Sequence, residues 1–418
     1  MNSKLRKIAL RLVTPFLVAA FLVAALVIAA SPAKTVSEQP WARHTIDNSS
    51  QGADGVRLAD VNGDGLQDIT TGWEEGGKIR VYLNPGAARA REPWPAVNVG
   101  DVAKPEDAVF ADLDGDGAID VVSSTEGDTR KMFIHWAPKA KDRYLDEAAW
   151  KTEVLPASMD LARWMFALPM QIDAKHGTDL IASSKDEGAK IGWFQAPENP
   201  RDLASWKWRP LYNAGWIMSL LPVDMDGDGD LDVLASDRKG PKRGALWLEN
   251  PGAELAASAE WKEQRIGPVD EYEAMFLTIA DLDRDWLDDV LIADRRGPLR
   301  YHRRTKFSPA SWETHLIELP PNTGTSKSVA VGDIDQDGKP DIVFSCENAF
   351  GDKAGVMWMS YRKAPADATW DGHPISGPQG VKFDLVQLID LDDDGDLDVL
   401  TCEETDNLGV IWYENPLR

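Results

Sequence analysis

The stretch DLDGDGAIDVVS, residues 112–123, decides the fold. Asp112, Asp114 and Asp116 alternate, Gly117 permits a tight turn, and Asp120 follows shortly after, so four oxygen-bearing side chains can converge on one point. Carboxylates about 4–5 Å apart repel by roughly 3–4 kcal/mol per pair at an effective dielectric near 20, so the cluster is hard to hold closed without a cation. Oxygen-only ligands in a flexible loop suit Ca²⁺, with side chains at positions 1, 3, 5 and 9 and a backbone carbonyl near position 7. Mg²⁺ prefers fewer protein ligands and more water.

The same loop begins seven times, at Asp60, Asp112, Gln171, Asp224, Asp281, Asp333 and Asp390, at intervals of 52 to 59 residues. Beside the quoted copy, the complete sets are Asp60, Asn62, Asp64 and Asp68; Asp224, Asp226, Asp228 and Asp232; Asp281, Asp283, Asp285 and Asp289; Asp333, Asp335, Asp337 and Asp341; and Asp390, Asp392, Asp394 and Asp398. About six structural Ca²⁺ ions are therefore expected. An EF-hand would need a bidentate Glu at position 12, where Thr71, Ser123, Ala235, Ile292, Phe344 and Thr401 stand. The flanks are β-branched and alternating, so each loop joins two strands. In the third copy Lys175 stands at a ligand place and His176 at the glycine place. Lys175 is expected to pair internally with Asp173 or Asp179, leaving that loop metal-free; the alternative is a catalytic Lys175–His176 pair.

Two further marks keep the period. A tryptophan opens a short strand at Trp41, Trp94, Trp150, Trp206, Trp261, Trp312 and Trp370, and an aromatic strand, often closed by proline, follows each acidic loop, as in Trp247-Leu248-Glu249-Asn250-Pro251. One repeat is thus four strands. Seven four-stranded units predict an all-β, seven-bladed propeller, each sheet covering its neighbour's apolar face. The chain enters on a tryptophan strand, Trp41 to Ile46, and ends on an aromatic one, Val410 to Tyr413, so the N-terminal strand is expected to complete the last blade and close the ring.

These residues resemble the FG-GAP or VCBS repeat family, the calcium-loop propellers that include the integrin alpha headpiece and many exported bacterial proteins. The resemblance covers about residues 41–418 and rests on the repeated D-x-D-x-D-G-x-x-D motif. It implies that the matching aspartates are calcium ligands. Blade five departs, with Trp286 in place of the glycine. The family hosts adhesion modules and a few sugar-processing enzymes, so it implies a fold and a metal more than an activity.

Residues 1–33 carry Lys4, Arg6, Lys7 and Arg11 before an apolar run from Leu12 to Ala30, then Ser31-Pro32-Ala33: a secretory signal peptide or an uncleaved signal anchor. Residues 34–40 read as a linker and 41–418 as the propeller. The expectation is an exported protein, periplasmic, cell-surface or extracellular, touching a membrane only through such an anchor, and monomeric. A formal net charge of −24 makes nucleic acid a poor partner. Cys346 and Cys402 sit near equivalent strand ends of blades six and seven; two buried thiols are favoured over a disulfide, since adjacent blades can hold them too far apart.

A ligand is expected on the face opposite the calcium loops, around the pore mouth, where Asp54, Glu106, Lys327, Lys382 and Asp384 fall. Blades three to five add Arg163, Trp164, Lys185, Trp216, Arg238, Lys239, Glu273, Arg295 and Arg296. This basic, aromatic sector on an acidic body predicts a recognition or adhesion module for an acidic glycan or a cell-surface protein partner. Solvated charges pairing with Asp186, Asp237 and Asp294 are the plainer alternative. No G-x-S-x-G, H-E-x-x-H or dinucleotide motif occurs. Were the chain an enzyme, a polysaccharide lyase or sugar dehydratase at the same mouth would need a base such as Lys185, Tyr272 or Glu273.

Overall fold

The segment that follows each acidic loop is built of small and β-branched residues, and in the computed structural model these segments become the second strands of seven sheets. They are Asp68–Trp73, Asp120–Thr125, Asp179–Lys185, Asp232–Asp237, Asp289–Asp294, Asp341–Glu347 and Asp398–Glu403, and every residue in them is buried. A strand with a neighbouring blade on each face cannot alternate between core and solvent, which is why these runs read as continuously apolar or small. Each fully buried Val or Ile contributes about 1.5–3 kcal/mol. Serine hydroxyls in these strands are satisfied across the blade interface: Ser236 donates to Met275 O at 2.7 Å and Ser345 to Asp384 O at 2.6 Å.

The structure describes residues 39–307 and 310–417, all within one compact unit. The signal segment and most of the linker lie outside the described residues. Seven antiparallel four-stranded sheets form the blades, numbered here by their acidic loop. The innermost strands are Ala53–Ala59, Pro105–Ala111, Arg163–Met170, Ile217–Val223, Ala274–Ala280, Thr325–Gly332 and the short Gln387–Ile389. They lie against one another in series, and Ala53–Ala59 packs on Asp398–Glu403 of the last blade. The N-terminal strand Ala42–Asp47 pairs with Gly409–Glu414 as the outer strand of blade seven, Ala42 opposite Glu414. No described helix is long and apolar enough to cross a membrane.

In blades one to four the repeated tryptophan locks the connection before the outer strand. Trp94, Trp150, Trp206 and Trp261 are buried and donate their indole N–H to Ala90 O, Tyr144 O, Pro200 O and Ala256 O. Cys346 and Cys402 are both buried free thiols, and burial pushes the Cys346 thiol up to about 12.

One irregularity recurs. In blades one to six the innermost strand carries a bulge near one end, so that two residues oppose one on the second strand. A bulge breaks the in–out alternation and re-aims side chains. The inserted stretches are Gly55–Val56, Glu106, Met165–Phe166, Met218, Met275–Phe276 and Lys327. Gly55 adopts φ +69, which only glycine takes without strain.

Candidate functional site

The bulges build the mouth of the central channel on the face opposite the acidic loops. A cavity of about 110 Å³ there is lined by Gly55, Glu106, Met165, Phe166, Met218, Met275, Phe276 and Lys327, joined by Asp54, Asp384 and Leu385. The Phe166 and Phe276 rings meet edge-on at 5.5 Å, so the floor of the mouth is closed by apolar side chains from blades three and five.

The charge around this floor is divided. On one side Lys185, Arg238 and Lys239 surround the indole of Trp216, with their cationic groups 4.5, 4.7 and 4.1 Å from the ring. Arg238 and Arg296 both bind Glu273, at 2.9 and 2.6 Å, and Arg295 reaches Glu347. Burial would raise the Glu273 carboxyl, but Arg238 and Arg296 hold it below its ordinary value. Lys239 lies exposed beside Arg238 and Arg295 with no ion pair among the described residues, and burial and Arg238 pull its pKa down. Arg163 stands further out, on Asp186 at 2.9 Å.

Trp164 does not join this sector. It is fully buried, donates its indole N–H to Ser158 O at 3.0 Å, and packs on Phe194 and Trp208. The bulge begins at the next residue, so Trp164 keeps its regular place opposite Ser184 and packs into the buried cluster between blades instead of the mouth. Asp237 and Asp294 are turned to backbone N–H groups of Gly215, Trp216, Glu273 and Arg296, so the arginines converge on Glu273 instead. None of the three candidate bases has a base's surroundings. Glu273 is clamped by arginines, Lys185 is paired with Glu126, and buried Tyr272 is raised to about 12 with Arg300 stacked 3.7 Å from its ring.

On the other side Asp54, Glu106, Asp384 and Glu404 meet Lys327 and Lys382. Lys327 is buried and binds Asp384 and Glu404, the latter at 3.1 Å, while Lys382 binds Glu404. Asp54 hydrogen-bonds Asp384, and burial together with the Asp384 and Glu404 charges raises the Asp54 carboxyl well above its usual range. Glu404 was not among the residues expected at the mouth, although it holds the repeat place that Glu126, Lys185, Arg238 and Arg295 hold in their blades.

The acidic loops lie at the other end of the strands. Their first aspartate accepts the backbone N–H of residues four to six of the loop, as Asp112 does from Gly115 and Gly117 at 2.9 and 3.1 Å. One carboxylate oxygen from each of Asp112, Asp114 and Asp120 lies within 4.8 Å of the others. Asp224, Asp226 and Asp232, Asp281, Asp283 and Asp285, and Asp333, Asp335 and Asp341 do the same. This oxygen-only donor set fits a hard dication. Burial, with the neighbouring aspartates adding to it, raises Asp120 to about 7 and Asp341 and Asp398 to about 8.

Position nine has a second task. Asp68, Asp120, Asp179, Asp232, Asp289 and Asp398 each accept two backbone N–H groups, one from position two and one from the end of the third strand. Asp179, for instance, takes Ile172 N at 3.1 Å and Ala196 N at 2.8 Å. This tie explains why the defective third copy keeps Asp179. In that copy the Gln171 amide donates to Lys175 O at 3.1 Å and Gly177 O at 2.7 Å, and Lys175 lies 3.5 Å from Asp173. An amide N–H therefore occupies the carbonyls that a cation would take. Loops two and five each hold a guanidinium: Arg201 binds Asp114 and Asp116, and Arg303 binds Asp283 and Asp285; in loop five Trp286 stands 92% exposed at φ +71.

The family model described as FG-GAP-like repeat matches residues 60–123 and 281–344, each running from one acidic loop to the end of the next. The chain is thus a seven-bladed β-propeller, two stretches of which match the FG-GAP-like repeat model. A T-cell immunomodulatory protein homolog of Plasmodium falciparum (isolate 3D7) is 28% identical over 173 residues, 35% of this chain and 24% of the relative, so the match spans about a quarter of that protein. Two crystal structures of BBS1N in complex with ARL6DN, soaked with lead and with mercury, are similar at 10% and 11% identity. The TM-score is 0.51 for both, over 91% and 92% of this chain and 98% and 100% of theirs; the likeness is one of fold.

Proposed function

We propose that this propeller is an exported recognition or adhesion module, held together by Ca²⁺ in its complete acidic loops, that binds an acidic glycan or an anionic protein surface across the basic half of its mouth. FG-GAP-like repeats on a propeller suit an interaction role. The observation that carries the anionic ligand is the surplus of cations around Glu273 and Trp216. Arg238, Arg295 and Arg296 share Glu273, with Glu347 beside Arg295, and Lys239 makes no ion pair among the described residues. Guanidinium groups so placed suit carboxylates or sulfates by bidentate contact. Because three cations already cover the Trp216 ring, a sugar would meet cations first and the indole second.

The test is retention on immobilised polygalacturonate at low salt. The wild-type chain is expected to be retained and released by salt, and Lys239→Ala with Arg296→Ala to pass through with an unchanged melting temperature. A wild-type chain that is not retained, or a variant retained equally, rejects the acidic glycan.

A further inference from the structure

The acidic half of the mouth has two carboxyl groups more than it has cations. Asp54, Glu106, Asp384 and Glu404 face Lys327 and Lys382. The other charges around the cavity are matched outward: Glu126 with Lys185, Glu74 with Lys104, Glu347 with Arg295, and Arg238 with Glu273. Buried excess charge of this kind is neutralised by protons or by a bound cation. The Asp54–Asp384 pair accounts for one proton. Glu106 has no hydrogen-bond partner among the described residues, and burial, opposed by Lys185 and Lys327, lifts it to about 7.

The floor beside these carboxyls is apolar, with Arg238, Glu126 and Glu347 at the rim. Met165, Phe166, Met218, Met275 and Phe276 offer no oxygen ligand, and the further carboxylates of the lining, Glu74, Glu126 and Glu347, are already paired with Lys104, Lys185 and Arg295, which leaves a metal ion few free donors. The narrowest carboxylate approach, Asp54, Asp384 and Glu404 within 4.8 Å, already encloses the Lys327 ammonium. A carboxyl that makes no hydrogen bond among the described residues, opposite flexible methionines and aromatic rings, instead matches an amphipathic cation, charged at the tip and apolar along its stem. The cavity, at about 110 Å³, has ample room where one water needs about 10–15 Å³.

We infer that the mouth binds a primary ammonium on an alkyl stem, a lysine side chain or a free diamine, with Glu106 and Asp54 receiving the ammonium and the methionine–phenylalanine floor the stem. This goes beyond the anionic-ligand reading and does not depend on it. If both hold, the ligand carries opposite charges that span the two halves of the mouth.

The experiment is calorimetric titration of the full chain in calcium buffer at pH 6 and 8, with N-acetyl-lysine methylamide as probe and N-acetyl-norleucine methylamide as control. The ammonium must displace a proton held near pH 7, so affinity is expected to rise about tenfold from pH 6 to pH 8, with proton release shown by different heats in phosphate and Tris. Glu106→Gln is expected to weaken binding at least tenfold at pH 8 and flatten its pH dependence, while Arg89→Ala, whose exposed side chain pairs with Glu92 away from the mouth, leaves both unchanged. Cadaverine, run in parallel, distinguishes a free diamine from a lysine side chain as the source. Equal heat from the norleucine control, pH-independent affinity in the wild type, or displacement of the probe by added Mg²⁺ would overturn the assignment. The wild-type pH dependence decides the matter even if Glu106→Gln fails to fold.

Discussion

Glu106 and Lys327 are the same residue of the repeat: each is the extra residue of the bulge in its blade's innermost strand, in blades two and six, and both face one cavity. The bulge delivers a carboxyl from one blade and an ammonium from another to the same axis. In blades three to five it delivers methionine and phenylalanine. A single backbone device thus gives the mouth its charged half and its apolar floor.

Lys327 is buried between Asp384 and Glu404. Lys327→Met is expected to cost about 3–5 kcal/mol, because it strands two carboxylates in the interior. Urea denaturation at pH 7.5 measures this, and the added change Asp384→Asn is expected to recover part of the loss.

Calcium binding is expected to be confined to the complete loops. Chelation should lower the melting temperature by several degrees and added Ca²⁺ restore it, since a ligand at 100 times its Kd adds about 2.7 kcal/mol per site. Equilibrium dialysis should find no ion in loop three, where the Gln171 amide holds Gly177 O. An unchanged melting curve in chelator rejects the calcium assignment.

Asp179 tests the structural task of position nine apart from any metal. Its carboxylate holds Ile172 N and Ala196 N inside the protein. Asp179→Ala is expected to cost about 2–4 kcal/mol, and equally in calcium and in chelator, by leaving two buried donors unmade. A cost that vanishes in chelator would mean that loop three binds metal after all.

Trp286 occupies a left-handed conformation that the other complete loops give to glycine, and its ring is solvated. Trp286→Gly is expected to stabilise the fold by about 1 kcal/mol, read as a higher urea midpoint with an unchanged slope. A loss of stability would show that the ring makes contacts in solution.

His302 is kept neutral: burial, with Arg300 and Arg265 adding to it, lowers its pKa to about 3. Its folded pKa lies below the unfolded value near 6.5, so its share of stability is complete above pH 6.5 and is lost as pH falls toward 3. In calcium buffer, the stability gap between wild type and His302→Gln is expected to shrink from pH 7 to pH 5. A gap that stays constant removes His302 from acid denaturation.

The legible parts of the sequence were those that recur. The loop D-x-D-x-D-G-x-x-D and the tryptophan strand return at the blade period, so blade number, strand order and closure through Ala42–Asp47 could be read directly. The mouth was only half legible. Arg238, Arg295 and Arg296 stood out as cations in an acidic chain, but Trp164 was misplaced and Glu404 missed. Both positions recur with the repeat, but the residue type at each changes from blade to blade, so the sequence does not mark the bulge or the turn by composition.

Local chemistry therefore determined the unit: acidic loops that want a dication, serine- and valine-rich strands that must be covered on both faces, and aromatic locks before outer strands. What meets at the axis was decided by the ring. Asp54, Glu106, Lys327 and Asp384 come from blades one, two, six and seven, and only closure brings them into one low-dielectric cavity. There each group's charge depends on the others. That electrostatic coupling falls off with distance in space, and sequence order does not record it.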